Sequence, residues 1–220
     1  MSVRLFTLLL FLLPAGTVAK DDRSVLLVLG DSLTAGYGLD PSSAYPARLQ
    51  EKIDRAGIDV EVVNAGVSGE TSAGGARRIN WLLQRRVDFL LLELGANDGL
   101  RGIPLESTRE NLQEIIDATR RRYPHVRIII AGMLVPPNLG PDYANGFREL
   151  FRELAKKNDA ALIPFLLEGV AGRPKLNLAD GIHPTPQGHR IVANNVWEVI
   201  RPILASASPT HREGESQVGP

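Results

Sequence analysis

The sequence predicts an α/β protein, a three-layer α/β/α sandwich built on a five-stranded parallel sheet. Two observations carry this expectation. Aliphatic runs of strand length recur five times, most of them continuously apolar as befits strands covered on both faces, and segments of helical period lie between them. Right-handed crossovers and short connections then put helices on both sides of the sheet, and a ligand site in such a fold lies at the carboxyl ends of the strands.

In chain order the runs are VLLVL at 25–29, DVEVV at 59–63, VDFLLLEL at 87–94, VRIII at 126–130 and AALI at 160–163. The helix-period segments fall at 43–56, 73–84, 107–122, 143–157 and 187–204. The third closes on Arg120-Arg121-Arg122, where cations meet the negative end of the helix dipole, so this basic run reads as a solvated helix end and not as a binding patch. There is no internal repeat and no second hydrophobic pattern, so residues 20–204 are expected to form one domain.

The two ends read differently from this body. Residues 1–19 have the form of a secretory signal peptide: Arg4, an apolar run from Leu5 to Leu13, the breakers Pro14 and Gly16, then Thr17-Val18-Ala19 with cleavage expected after Ala19. The run is too short for a membrane span of about 20 residues, so no stable membrane insertion is expected after cleavage, and the location is expected to be periplasmic or secreted. The chain contains no cysteine, which excludes a lipid-modified one behind the leader. At the other end ASASPTHREGESQVGP, residues 205–220, has almost no large apolar side chains and is expected to be a disordered tail.

Basic and acidic side chains number 25 each, and loss of Arg4 with the leader tips the balance to about minus one. Such a surface has no broad positive field, so nucleic acid is not an expected partner.

The chemistry is legible in the residues just beyond the strands. Gly30-Asp31-Ser32 comes after the first, Asn64-Ala65-Gly66-Val67-Ser68-Gly69 after the second and Gly95-Ala96-Asn97-Asp98 after the third, while Asp180-Gly181-Ile182-His183-Pro184 stands just before the last helix. A serine hydroxyl needs a base to become a nucleophile, and imidazole, with an ordinary pKa near 6.5, suits that task. His183 is the candidate base, and Asp180, three residues earlier, can bond the other ring nitrogen and fix the tautomer. The Ser32 N–H, the Gly69 N–H and the Asn97 amide are candidate donors to an oxyanion. Each group alone passes for turn or cap chemistry, but together they supply a nucleophile, a base, its orienter and three donors. Of the other histidines, His125 falls at the amino edge of the sheet, His189 inside the last helix and His211 in the tail. Asp31 is expected to hold its turn by bonding backbone N–H groups, and Asp98 has the same status.

These four blocks, in this order, resemble the SGNH (GDSL) hydrolases over most of residues 24–204, with Gly30-Asp31-Ser32-Leu33 carrying the serine. The stretches NAGVSGETSAGG and LELGANDGLRG are most similar to the bacterial periplasmic thioesterase, lysophospholipase and arylesterase group. The resemblance implies a flavodoxin-like fold, Ser32 as nucleophile, His183 as base, Asp180 as its partner, and Ser32, Gly69 and Asn97 as the oxyanion hole. It implies a serine ester hydrolase that needs no cofactor and no metal, working as a monomer on a small acyl ester or thioester, with lysophospholipid a further candidate substrate.

Rival readings are weaker. Asp31-Ser32-Leu33-Thr34 is similar to the Asp-x-Asp-x-Thr of haloacid-dehalogenase phosphatases, but Leu33 replaces the second Asp and no downstream acidic pair is placed to hold magnesium. No G-x-S-x-G elbow surrounds Ser32 or Ser68, and there is no H-E-x-x-H. A secreted, non-catalytic acyl- or carbohydrate-binding domain would keep the fold without needing the Asp180/His183 pair. Substrate choice is expected from two apolar stretches, Gly99–Leu105 and Met133–Pro141, with Leu100, Ile103, Leu134 and Pro136 as candidate acyl-contacting residues.

Overall fold

The computed structural model describes residues 23–206, so the leader at 1–19 and residues 207–220 lie outside the described part. Its sheet is formed by β1 (Ser24–Gly30), β2 (Val60–Gly66), β3 (Phe89–Glu93), β4 (Arg127–Ala131) and β5 (Ala161–Ile163). All pairings are parallel, in the order β2-β1-β3-β4-β5, as expected of a flavodoxin-like sheet. The strand order reverses direction between β1 and β3, which opens a crevice at their carboxyl ends.

The connecting helices are α1 (Ser32–Ala35), α2 (Tyr45–Arg55), α3 (Ser72–Leu82), α4 (Ala96–Leu100), α5 (Leu105–Arg122), α6 (Pro141–Lys157) and α7 (Pro186–Ala205). α2 packs on α7, while α3, α5 and α6 pack in series, so the helices form two outer layers. β1 and β3 are buried at every position, which accounts for their unbroken apolar sequence. On the α6 side Phe147 and Phe151 meet edge to face, ring centroids 5.2 Å apart, and both are buried. Truncating either to alanine should cost about 3–5 kcal/mol.

Three local expectations need correction. β2 runs on to Gly66, so Asn64-Ala65-Gly66 belong to the strand and do not lie beyond it. The stretch Gly99–Leu105 is not all loop, because Gly99 and Leu100 end α4 and Leu105 opens α5. Ala205, expected in the tail, is the last residue of α7. Short helices such as α1 and α4, of four and five residues, lie below the length at which hydrophobic period shows itself.

Candidate active site

The site grows out of the carboxyl end of the two central strands. Gly30 pairs with Glu93 in the parallel register, so the turn carrying Ser32 and the turn carrying Asn97 leave the sheet side by side. Asp31 caps α1, its Oδ1 accepting the Leu33 N–H at 2.9 Å, which fixes the turn that presents Ser32. This is the turn-holding role expected of Asp31.

His183 arrives from the other end of the chain. Its loop is tied down by the Leu178 N–H to His183 carbonyl bond at 2.7 Å and by an antiparallel bridge between Asn177 and Pro184, after which Thr185 caps α7 through the Gly188 N–H. His183 Nε2 lies 3.0 Å from Ser32 Oγ, and Nδ1 lies 2.7 Å from Asp180 Oδ2. The second oxygen of Asp180 accepts the Ile182 and His183 N–H groups at 2.9 and 3.0 Å. Those bonds to His183 and Ile182 hold the Asp180 carboxyl down at about 2, so it is ionised at any working pH. The Tyr37 ring lies against the imidazole, centroids 4.3 Å apart, and covers one face of it.

Gly69 has φ +79 with open space where a Cβ would stand, so glycine is required there by backbone conformation and not by crowding. Arg101 donates to the Gly69 carbonyl at 3.2 Å and steadies that turn, and Glu70 next to it forms an ion pair with Arg78. Among the described residues neither the Ser32 N–H nor the Gly69 N–H has a protein acceptor. The Asn97 amide differs: Nδ2 donates to Asp31 Oδ2 at 3.1 Å and to the Glu70 carbonyl at 3.0 Å. Both of its hydrogens are thus engaged. An incoming oxyanion has to share one of them or displace its acceptor.

The other candidates fall away from this cluster. His125 is exposed at the amino edge, beside a groove of about 830 Å³ that also includes Arg86, Asp88 and Arg127. His189 is buried in α7, its Nδ1 accepting the Tyr45 N–H at 3.2 Å, and burial lowers its pKa to about 4, so it is neutral near pH 7. Asp98 is buried and takes the Ser72 N–H and hydroxyl together with the Thr108 hydroxyl, a purely internal role. Of the acyl-contact candidates, Leu100, Leu134 and Pro136 are exposed and Ile103 is half-buried.

Sequence reasoning missed several neighbours of the site: Tyr37, Glu70, Arg101 and, beneath the nucleophile turn, Glu93. Glu93 left a readable signal, an acidic residue inside the otherwise apolar run LLLEL, because a charge in a doubly covered strand has to be engaged by something. Its partners are the Asp31 N–H at 3.1 Å and the Thr34 hydroxyl at 2.7 Å.

Among the described residues, no group of three or more His, Cys, Asp and Glu side chains is arranged to hold a metal ion, and no helix is long and apolar enough to cross a membrane.

Known proteins share both sequence and fold with this chain. The GDSL-like Lipase/Acylhydrolase family matches residues 28–191. Esterase TesA of Pseudomonas aeruginosa is 40% identical over 180 residues, covering 81% of this chain and 89% of that protein. Thioesterase 1/protease 1/lysophospholipase L1 of Escherichia coli K12 is 35% identical over 198 residues, covering 90% of this chain and 91% of that protein. The crystal structure of the psychrotrophic esterase EstA from Pseudoalteromonas, inhibited by monoethylphosphonate, superposes with a TM-score of 0.78 at 33% identity, covering 83% of this chain and 99% of that one. A family match over most of the chain and relatives above 30% identity along nearly their whole length leave one assignment: this chain belongs to the GDSL-like lipase/acylhydrolase (SGNH) family of ester hydrolases.

Proposed function

We propose that the chain hydrolyses acyl esters and thioesters through a covalent acyl-enzyme on Ser32. The observation that carries this reading is the unbroken chain from Ser32 Oγ to His183 Nε2 at 3.0 Å and from Nδ1 to Asp180 at 2.7 Å. Ser32 attacks the carbonyl carbon while His183 Nε2 takes its proton, and Asp180 stabilises the imidazolium that results. The tetrahedral oxyanion draws on the Ser32 and Gly69 N–H groups and on one hydrogen of Asn97 Nδ2. His183 returns its proton to the leaving alcohol or thiol. A water, deprotonated by the same nitrogen, then attacks the acyl-enzyme and releases the acid.

The substrate is an acyl chain long enough to touch the rim. Tyr37, Val67, Leu100, Leu134, Leu139 and Ile182 are exposed large apolar side chains on connections beyond the carboxyl ends of the strands, while exposed Trp81 lies apart from them on α3. Solvent-facing apolar groups gathered at one edge favour an aliphatic or aryl partner. Leu100, Ile103, Leu134 and Pro136 form the acyl groove in this reading. The leader-like segment at 1–19 supports export to the periplasm or beyond.

A fluorophosphonate probe tests the nucleophile. Covalent labelling of the wild type and none of Ser32→Ala is expected; absence of labelling on folded wild-type protein, or labelling that survives in Ser32→Ala, overturns the assignment. Rates on nitrophenyl esters of rising chain length test the groove, with kcat/KM expected to rise until the chain outgrows the rim.

A further inference from the structure

Beneath Ser32 lies a buried polar network with no part in the proton transfers of the proposed reaction. Glu93, at the carboxyl end of β3, is fully buried. Its Oε2 accepts the Asp31 N–H and the Thr34 hydroxyl, and Thr34 Oγ1 lies 2.8 Å from the hydroxyl of Tyr45, itself buried. Glu93 Oε1 is buried with no partner in the protein. A carboxyl placed at such cost in an apolar strand does not persist for stability, since a hydrocarbon of similar volume is often as stable or more so.

The backbone accommodates this network at Gly30. A Cβ there would stand 2.1 Å from Thr34 Oγ1 and 2.3 Å from Glu93 Oε2, so the glycine before the nucleophile turn is the space these two side chains occupy. From Asp31 the connection continues outward: its Oδ1 holds the Leu33 N–H and its Oδ2 holds the Asn97 amide.

We infer that Glu93 is a positioning residue of the esterase, gripping the Asp31 main chain so that the Asp31 carboxylate holds the Asn97 amide where one of its hydrogens is shared with the oxyanion. The inference rests on the oxyanion role proposed for Asn97. It gives the GDS turn a buried anchor on the neighbouring strand, set by the Gly30 to Glu93 register. The electrostatics agree. Burial, followed by the charge of Asp31, pushes the Glu93 carboxyl well above the usual carboxylate range, while burial pushes Asp31 up to about 6. Glu93 grips through its acceptor oxygen Oε2, and glutamine can supply the same oxygen.

The test is a pair of variants with a double-mutant cycle. Glu93→Gln is expected to keep kcat within about threefold of wild type. Glu93→Leu is expected to lose on the order of tenfold in kcat with KM nearly unmoved, because a misaimed donor is felt only in the transition state. Acting through Asn97, Glu93→Leu should cost almost nothing further when added to Asn97→Ala, which alone should lower kcat about 10² to 10³. Wild-type kcat in folded Glu93→Leu, or a full additional loss in the double variant, overturns the inference. If Glu93→Leu does not fold, Thr34→Val keeps the shape and removes one bond to Glu93, together with the bond to Tyr45; a smaller loss confined to kcat is expected, and an unchanged kcat again overturns it. An unchanged kcat in Asn97→Ala alone defeats the oxyanion assignment itself, and this inference with it, whereas the other outcomes leave that assignment standing.

Discussion

Two aspartates flank Ser32 and His183, and their surroundings drive them in opposite directions. Asp180 sits in an exposed loop and is bonded by two backbone N–H groups and an imidazole, which hold its carboxyl down at about 2. Asp31 is buried at the end of β1, and although it accepts the Leu33 N–H and the Asn97 amide, desolvation outweighs those bonds and raises it to about 6. One residue type thus serves as a permanently charged partner for an imidazole in one place and as a titratable aiming group in the other. The difference comes from water access and not from the number of hydrogen bonds, which is similar.

Asp180→Asn strikes the exposed member and should have the largest effect. An amide presents a donor to Nδ1, favours the wrong tautomer and should lower kcat about 10³ to 10⁴, measured on a nitrophenyl ester at pH 8. A loss under tenfold would mean that the loop geometry, and not the charge, is what His183 needs. The fold should be little affected, because the loop is at the surface.

Asp31→Asn strikes the buried member and should show the reverse balance. Its Oδ1 can still accept the Leu33 N–H, but an NH2 now faces the NH2 of Asn97, so kcat is expected to fall on the order of tenfold to 10² with little change in KM. Stability at neutral pH should rise. A carboxyl raised from 3.8 to about 6 contributes stability that is fully present below 3.8 and lost as pH rises through 6, on the order of 3 kcal/mol, and asparagine never loses it. Chemical denaturation at pH 7.5 checks this, and a destabilised Asp31→Asn would show that the charge-assisted bonds outweigh burial.

The smallest effect sharpens the comparison through a third buried group. His189, lowered from 6.5 to about 4 by burial, contributes stability present above 6.5 and lost as pH falls through 4. This slope runs against that of Asp31 over the same pH window, so the two partly cancel in the wild type. His189→Asn should therefore leave stability that falls as pH rises from 4 to 6.5, whereas in Asp31→Asn the raised Glu93 carboxyl still opposes His189 and the profile should be flatter. Melting temperatures across that range read both slopes, and parallel profiles for the two variants would refute the assignment of these groups.

Much of this was readable from the chain. VLLVL and VDFLLLEL name strands by composition alone, and GDSL, Gly69, GAND and DGIHP give the groups brought to one edge, because turn residues that also bear a hydroxyl, an amide or an imidazole at successive strand ends are seldom coincidental. What escaped was contact across the sheet. That Asp31 reaches Asn97, 66 positions away, depends on strand order, which sequence pattern does not supply. Glu93 was visible as a misfit but its partners were not, and Tyr37 carried no signal because nothing local says that its ring will meet His183. The ends of β2 and the short helices α1 and α4 were lost for a different reason: a residue or two of extension, or a single helical turn, carries no period.

The pairing of Gly30 with Glu93 has a consequence for how such an enzyme can be altered. The turns that carry the serine and the Asn97 amide start from neighbouring strands about 4.8 Å apart, a spacing fixed by main-chain hydrogen bonding. Part of the apolar rim, Leu134 and Leu139, hangs on the connection beyond β4, which carries none of the reacting groups. Loops of different length or texture could be grafted onto that rim to retune the preferred acyl chain, while the spacing of the reacting groups stays where the sheet puts it.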